Sequence, residues 1–581
     1  MRYPTLQELN KSREMLDIFK GYNHNLRIGG GEFYEMENLS SDHYPILSPR
    51  SARGIYASPG IPQGMIEKDA LCYVDGNDFI MNEYRVNIGL TADDKPKTLV
   101  SMGAYVIIMP DKKYINTADL SDYGSIEASV TTSTTVSFTL CKMDGSEYEN
   151  IVSQNVAPSE PANMALWIDT SETPHTLKQY SATTAMWSAI ATTYVKITSP
   201  GIGAPFSEND GVTISGIEIE ALSDLNASAV IWAKGDNYIV VKGILNEVTT
   251  QSAEKPVTIE RRMPNMDFII ESENRLWGCR YGVALNGEVV NEIYASKLGD
   301  FKNWNCFMGI STDSYAATVG TDGQFTGAIT HLGYPLFFKE NCVHKVYGNY
   351  PANYQIQTTT LRGVQKGCSR SLAIVNEVLY YKTRSGVCAY DGSLPAEISS
   401  AFGNVMYRNA VAGALGNKYY ISMQDSEGAY HLFVYDTLKG MWHREDDTQA
   451  ADFCACDGDL YYIDYSTSQI KTIGGTGVKD ITPIKWTATT GIIGTDSPDK
   501  KYISRMDVRM KLDVGARVAF LAEYDSSGEY EYLFTMTGKN LQSFSVPIRT
   551  RRCDHMRLRI VGTGEAKIFS ICKTIEWGSN R

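Results

Sequence analysis

The residues best suited to nucleophilic or metal chemistry in this 581-residue chain are eight histidines and eleven cysteines. The histidines are His24, His43, His175, His331, His344, His431, His443 and His555; none forms a tight ligand pair or has a second histidine at helical spacing, so no zinc site is expected. The cysteines are Cys72, Cys141, Cys279, Cys306, Cys342, Cys368, Cys388, Cys454, Cys456, Cys553 and Cys572. Their scatter, odd count and apolar neighbours read as buried free thiols in a reducing compartment. Cys454 and Cys456 have one intervening residue, which in a strand sets both thiols on one face, the pattern of a core pair. No Gly-x-Ser-x-Gly elbow, Walker-type loop or His-Glu-x-x-His is present, and Gly29-Gly30-Gly31 precedes Glu32-Phe33 instead of a phosphate-cradling helix, so these glycines read as a turn. No catalytic, cofactor-binding or metal-binding residue is assigned on this basis, no cofactor is expected, and the chain is expected not to be an enzyme.

The elements that would position any site are strands. Short apolar and aromatic runs alternate with turn signals at intervals of about ten residues, and the 36 tyrosines suit half-buried pleated surfaces. One unit recurs: an apolar strand, a turn bearing Asp, Asn or Gly, then an aromatic-rich strand. It occurs at residues 71–81, 267–278, 328–338, 372–381, 411–421 and 452–463. From residue 265 to about 475 the copies return every forty to fifty residues or so, the period of four-stranded propeller blades. Ser296-Lys297-Leu298-Gly299-Asp300-Phe301-Lys302-Asn303-Trp304 resembles the Asp-box turn of sialidase-type propellers, where the motif is structural. Glycoside hydrolysis would need a carboxylate pair at a defined separation, and spacing selects none from 67 acidic residues.

The expected fold is all-β: a β-propeller with an inserted β domain and a C-terminal β-sandwich, preceded by a short helix. Thr5 followed by Glu8 reads as a capping box, and Leu6, Leu9, Leu16 and Phe19 recur at near-helical spacing, so residues 5–19 are expected to be helical within an N-terminal arm over 1–20. Residues 21–119 and 263–480 are assigned to the propeller. The Ser- and Thr-rich stretch 120–262 is assigned to the inserted domain, and 481–581, with alternating strands near 505–512 and 556–561, to the sandwich.

The net charge of −13 argues against a protein that grips nucleic acid, while an acidic wall would let DNA slide past. The opening Met-Arg-Tyr-Pro-Thr-Leu-Gln-Glu lacks an apolar signal core, and no run approaches a membrane span, so no membrane insertion is expected.

The stretch Phe19 to Leu39, containing Asn23, Asn25, Gly29-Gly30-Gly31-Glu32-Phe33, and the turn Ser48-Pro49-Arg50-Ser51-Ala52-Arg53-Gly54, resembles the opening of the tail hub or nozzle proteins of short-tailed bacteriophages. These are also called tail tubular protein B or DNA stabilization protein. Further motifs follow in the family's order: Asn274-Arg275-Leu276-Trp277-Gly278, Leu336 to Gly348, Gly367-Cys368, Tyr380 to Gly392, and Val434 to Arg444. The turn at 48–54 departs from the Arg-Pro-Gly-like form of the family. The resemblance implies a homo-oligomer, a hexameric ring below the portal and adaptor proteins of the virion tail. Such a ring, assembled in the host cytoplasm, retains the packaged genomic DNA and lets it pass without specific binding; tail fibre, needle or spike proteins are the remaining partners. The alternative is a carbohydrate-binding or sialidase-like propeller acting as a receptor-binding tail component, with tryptophans and tyrosines stacking on sugar rings. A third reading, an extracellular adhesin of β modules, is disfavoured by the free cysteines and the missing signal.

Overall fold

In this computed structural model, residues 11–171, 173–283, 287–474, 478–479, 483–495, 499–548 and 551–577 are described. The chain divides into two compact units, one of residues 1–97, 337–343 and 359–581 and the other of residues 98–336 and 344–358. Nearly every element is a strand, and the fold is all-β and of the propeller type.

The first unit contains four antiparallel meanders. One runs through Pro62–Glu67, Leu71–Asp75, Asp78–Met81 and Tyr84–Asn87. The next, through Ala373–Val375, Val378–Lys382, Val387–Tyr390 and Ala396–Glu397, is followed by Arg408–Leu415, Lys418–Gln424, Tyr430–Asp436 and Met441–Arg444. The last joins Ala450–Cys456, Asp459–Asp464 and Gln469–Ile473, and is completed by Gly54–Ala57 from early in the chain. These sheets pack face to face. Tyr420, Leu432 and Val434 of one meander meet Leu460, Tyr462 and Ile473 of the next. Cys456, Tyr461 and Ile463 on the far side of that sheet meet Met65 and Leu71. Central strands are therefore covered on both faces, which is why Lys418–Gln424 reads as an almost unbroken apolar run, not as an alternation.

The first unit also has the short pair Leu39–Ser40 and Ser48–Pro49 and an eight-stranded sheet. Its spine is Lys501–Tyr524, whose inward residues Met506, Val508, Met510 and Leu512, then Val518 and Phe520, keep a period of two. The ladder is interrupted between Leu512 and Arg517, where Gly515 takes a φ of 87°. The strand there exchanges Ala566–Trp577 for Met556–Thr563 as its partner, the device by which one strand serves two parts of a sheet. Three strands come from the other end of the chain. Glu32–Glu37 pairs with Lys485–Thr490, Gly21–Tyr22 lies parallel to Glu32-Phe33, and Lys11–Leu16 pairs with Ala566–Trp577.

The last pairing corrects the expected helix over 5–19. Residues 1–10 lie outside the described residues, and Lys11–Leu16 is a strand. The local helical spacing loses to the edge offered by Ala566–Trp577, reinforced by Lys11 to Glu576 at 3.0 Å and Lys573 to Glu14 at 2.9 Å. Of the three adjacent glycines, Gly31 needs its residue type: φ is 90°, and a Cβ would stand 2.3 Å from the Ile18 carbonyl oxygen.

The second unit has meanders Thr98–Met102 to Tyr123–Ser125 and Phe268–Ser272 to Tyr315–Thr318, which share a core of Val100, Ile107, Ile269, Leu276, Phe301 and Trp304. Between them in sequence, a four-stranded sheet built on Gly211–Ser215 and Thr258–Arg261 faces a five-stranded sheet built on Val136–Cys141, Tyr194–Thr198 and Tyr238–Lys242. Their shared core includes Phe138, Val195, Ile197, Val212, Ile214, Ile239 and Ile259. Strand Phe325–His331 follows, and the chain turns through Leu332 and Gly333 at positive φ.

The Asp-box-like stretch ties a meander to the inserted sheets. Ser296 Oγ accepts the Leu276 amide, Asp300 accepts from Lys302 N and Asn303 Nδ2, and the Trp304 indole donates to the Phe301 carbonyl. Asn303, 1% exposed, also donates to Asp210 Oδ1 and accepts from Gly211 N, while Asp210 Oδ2 pairs with buried Arg261. Asp210→Ala would leave that guanidinium buried without its anion. We expect a loss of about 3–5 kcal/mol, read as a lowered urea midpoint, with Asp210→Asn losing less because it keeps the hydrogen bond to Ser207 N.

Candidate functional site

Two polar regions of the first unit concentrate charge among its meanders. The first is a buried ion-pair cluster. Arg50 and Arg53 lie between Ser48–Pro49 and Gly54–Ala57, and Glu445 and Asp446 follow Met441–Arg444. Arg53 reaches Glu445 at 2.7 Å, Asp446 at 2.9 Å and Thr448 Oγ1 at 2.6 Å, and also donates to the Tyr462 hydroxyl at 3.2 Å. Arg50 reaches Asp446 at 3.2 Å and Asn38 Oδ1 at 2.8 Å. Burial works against the charged Asp446, but the Arg53 and Arg50 guanidiniums outweigh it and hold the carboxyl below its usual range. With every formal charge here answered by its opposite, the cluster is a fastening.

The second region is a cleft of about 320 Å3 that has both aromatic walls and groups suited to chemistry. Tyr22 and His24 enter from the strand Gly21–Tyr22 and its continuation, Glu35 and Glu37 from Glu32–Glu37, His431 and Phe433 from Tyr430–Asp436, and Arg444 from the end of Met441–Arg444. Residues two apart on a strand share a face, and Phe433 stands opposite Arg444 in the register, so this end of the meander presents His431, Phe433 and Arg444 together. His24 stacks on Tyr34 at 4.2 Å and on Tyr22 at 6.0 Å, and Phe433 lies 5.5 Å from Tyr22 and 5.4 Å from Tyr407. Burial pushes the Tyr407 phenol up to about 12.

His431 is held at both ring nitrogens: Nε2 lies 2.8 Å from Asp425, and Nδ1 lies 3.1 Å from both Asp447 and Arg444. Arg444 also pairs with Asp447. Asp425 in turn accepts the amides of Glu427 and Ala429, each at 2.9 Å, so the histidine is positioned by a carboxylate that is itself fixed to a turn. Burial raises the Asp425 pKa, and the His431 hydrogen bond and two backbone amides more than reverse the rise. Lined by Glu35, Glu37 and Asp425 against Arg444, the cleft is acidic.

The sequence assigned no residue to this site. His24 and His431 appear among the histidines noted for their chemistry, but Tyr22, Tyr407, Asp425 and Arg444 were not singled out as site residues, because the cleft draws on segments separated by hundreds of positions. The available signal was polar residues set into aromatic strands, Tyr430-His431-Leu432-Phe433 and Trp442-His443-Arg444. The described cysteines are free thiols, with Cys454 and Cys572 part-exposed and the others buried; Cys454 and Cys456 both pack at one core cluster. Among the described residues, no group of three or more His, Cys, Asp or Glu side chains is placed to hold a metal ion, and no helix is long and apolar enough to cross a membrane.

The chain matches no protein-family model and no curated protein. Solved structures do resemble it. An exo-β-1,3-galactanase from Phanerochaete chrysosporium is 10% identical over 52% of this chain and 94% of its own, with a TM-score of 0.21. PorZ, a surface component of the type-IX secretion system of Porphyromonas gingivalis, is 9% identical over 88% and 82%, at 0.26. BamB from Moraxella catarrhalis is 12% identical over 64% and 97%, at 0.21. These likenesses extend to the fold alone. They correct one expectation: with GH43 glycoside hydrolases among the structures this chain resembles, the reading of the chain as a non-enzyme is withdrawn.

His443, next to the cleft residue Arg444 in sequence, is 4% exposed, and its Nδ1 has no partner. Burial, aided by the Lys418 ammonium, holds its pKa down at about 4, against the opposing pull of Asp436 and Asp42. The unfolded chain therefore binds a proton at this ring as pH falls through about 6.5, whereas the folded chain does so only near pH 4. Stability should fall by roughly 3 kcal/mol across that window and level off below it. Urea midpoints between pH 7 and 4 should show this fall, and His443→Gln should flatten it.

Proposed function

We propose that this chain is a carbohydrate-binding propeller-type protein serving as a receptor-binding component of a bacteriophage tail, with the cleft around His24, Tyr407, His431 and Arg444 as its sugar site. The observation that carries the reading is the set of fixed donors and acceptors, His431, Arg444 and Asp425, beside the part-exposed His24 ring and over a floor of buried Tyr22, Tyr407 and Phe433. Sugars offer apolar C–H faces to aromatic rings and hydroxyls that both donate and accept, and pockets that recognise small polar ligands are built in this way. The acidic lining favours a neutral or amino sugar over the acidic sugars that a sialidase-like site would take. The phage context comes from the order of the motifs across residues 19–118 and 265–475.

The test is binding to an array of neutral, amino and acidic oligosaccharides, with hydrolysis of chromogenic glycosides followed in parallel. We expect retention on neutral or amino sugars, with Kd raised about tenfold in His431→Ala and Arg444→Met, equivalent to about 1.4 kcal/mol each. No retention, or retention that both variants leave unchanged, would overturn the reading.

The same ordered motifs favour a second reading, a ring-forming tail hub below the portal and adaptor proteins through which genomic DNA leaves. A closed ring requires a heterologous interface repeated around an axis. Light scattering of the purified chain, alone and with a portal-adaptor complex, tests it: ring-sized particles support the hub, and a monomer indifferent to the complex counts against it.

A further inference from the structure

A second pocket, of about 230 Å3, lies wholly within the second unit; its lining includes Asp224, Ser228, Trp232, Lys242, Asn305 and Phe307. Its outer lip is the loop after Trp304, and that loop is fixed from beneath. The buried Asp313 carboxylate accepts the amides of Met308 and Gly309 at 2.6 Å each and of Ile310 at 3.1 Å, all through Oδ2. Arg275, 1% exposed, donates to the carbonyls of Ser296 at 2.7 Å, Ser311 at 2.9 Å and Asp313 at 2.6 Å.

On this immobilised backbone Phe307 is 56% exposed and Ile310 49% exposed. Full burial of a phenylalanine contributes about 1.5–3 kcal/mol, and a ring held in water on a loop with no freedom to fold over it forgoes much of that. Exposed apolar groups on rigid loops mark recognition.

The inner wall has a complementary character. Trp232 is braced edge-on by Tyr194 at 5.7 Å, and the Lys242 ammonium lies 5.1 Å from its ring centroid. Asn305 donates through Nδ2 to Ser228 Oγ at 2.7 Å and, at 3.4 Å, to Thr213 Oγ1, which orients its amide. The pocket thus joins two aromatic surfaces to one cationic donor and the acceptors of Asp224 and Asn305. A wholly apolar ligand would make no use of the exposed Lys242 ammonium and Asp224 carboxylate, and an anion would face Asp224 at a cost. A ring with C–H faces and a rim of hydroxyls satisfies all of them.

We infer that this pocket is a saccharide subsite that takes one neutral pyranose unit against Phe307 and Trp232, with Lys242, Asp224 and Asn305 on its hydroxyls. The inference rests on the reading of the chain as glycan-binding, but it uses no residue of the cleft in the first unit. Two independent subsites on one chain would raise retention on a polymer above that on a single sugar.

The test is tryptophan fluorescence of the full chain titrated with the methyl glycosides of glucose, galactose and N-acetylglucosamine. We expect a saturable change with at least one of them, abolished by Trp232→Phe, with Kd raised at least tenfold in Phe307→Ala. Lys242→Met, at an exposed position, provides the same reading if Phe307→Ala does not fold. Binding that His431→Ala removes while Phe307→Ala and Lys242→Met leave it intact would overturn this subsite and spare the cleft. The reverse pattern would support the subsite and leave the cleft to the oligosaccharide array. No saturable change with any of the three glycosides would overturn the subsite.

Discussion

Two arginines from residue positions 50 and 53 sit inside the first unit against Glu445 and Asp446, and Arg53 lies 392 positions from its Glu445 partner. That buried pairing is the constraint on which the unit depends. A strand of four residues, Gly54–Ala57, is too short to hold its place in a sheet by ladder hydrogen bonds alone. The guanidiniums immediately before it find their anions only when the strand lies beside Gln469–Ile473, and a slip in register would leave two buried cations unpaired. The cluster thus acts chiefly as a device for specificity, setting which edge the early strand may join.

The candidate cleft inherits its precision from the same arrangement. The strand that supplies Glu35 and Glu37 belongs to the eight-stranded sheet, whereas His431 and Arg444 belong to a meander; the main-chain bond from Asn38 to the Glu445 carbonyl brings the two together. Gly21 makes the approach possible, since any Cβ there would stand 2.4 Å from the Trp442 carbonyl oxygen. Glu35, His431, Phe433 and Arg444 of the cleft are therefore mounted on strands whose spacing is fixed by backbone contact, while His24, Tyr407 and Asp425 lie just beyond strand ends.

Much of the fold was legible because it is locally encoded. The strand-turn-strand copies at 71–81, 267–278, 372–381, 411–421 and 452–463 are hairpins, with turns at Gly76, Asn274, Asn376, Gly416 and Gly458 in the left-handed region that their residue types tolerate. What was not legible depends on distance along the chain. The sequence of residues 5–19 has near-helical spacing, yet Lys11–Leu16 becomes a strand because Ala566–Trp577 lies beside it; Arg13 meets Cys572 across 559 positions. The cleft was hidden for the same reason: Tyr22, Glu35, Tyr407 and His431 are unremarkable in their own windows and acquire meaning only as neighbours. By contrast, Ser296–Trp304 could be read as a structural turn from residue types alone, since Ser296, Asp300 and Trp304 bond within the stretch or onto the adjacent hairpin, although the ties of Asn303 to Asp210 and Gly211 were not legible.

The dependence of the first unit on strands from both ends of the chain bears on how it is made. A ribosome releases Lys11–Leu16, Glu32–Glu37 and Gly54–Ala57 first, yet their partners at 566–577, 485–490 and 469–473 emerge last. The second unit, whose meanders and facing four- and five-stranded sheets are contiguous over residues 98–336, can close during synthesis, while the early strands wait with unpaired edges for several hundred residues. Such long-range closure is slow. The nascent chain is therefore most exposed to misassociation while these early strands stand unpaired, and Lys11 and Arg13 place charge on one such edge that would otherwise aggregate before its partner exists.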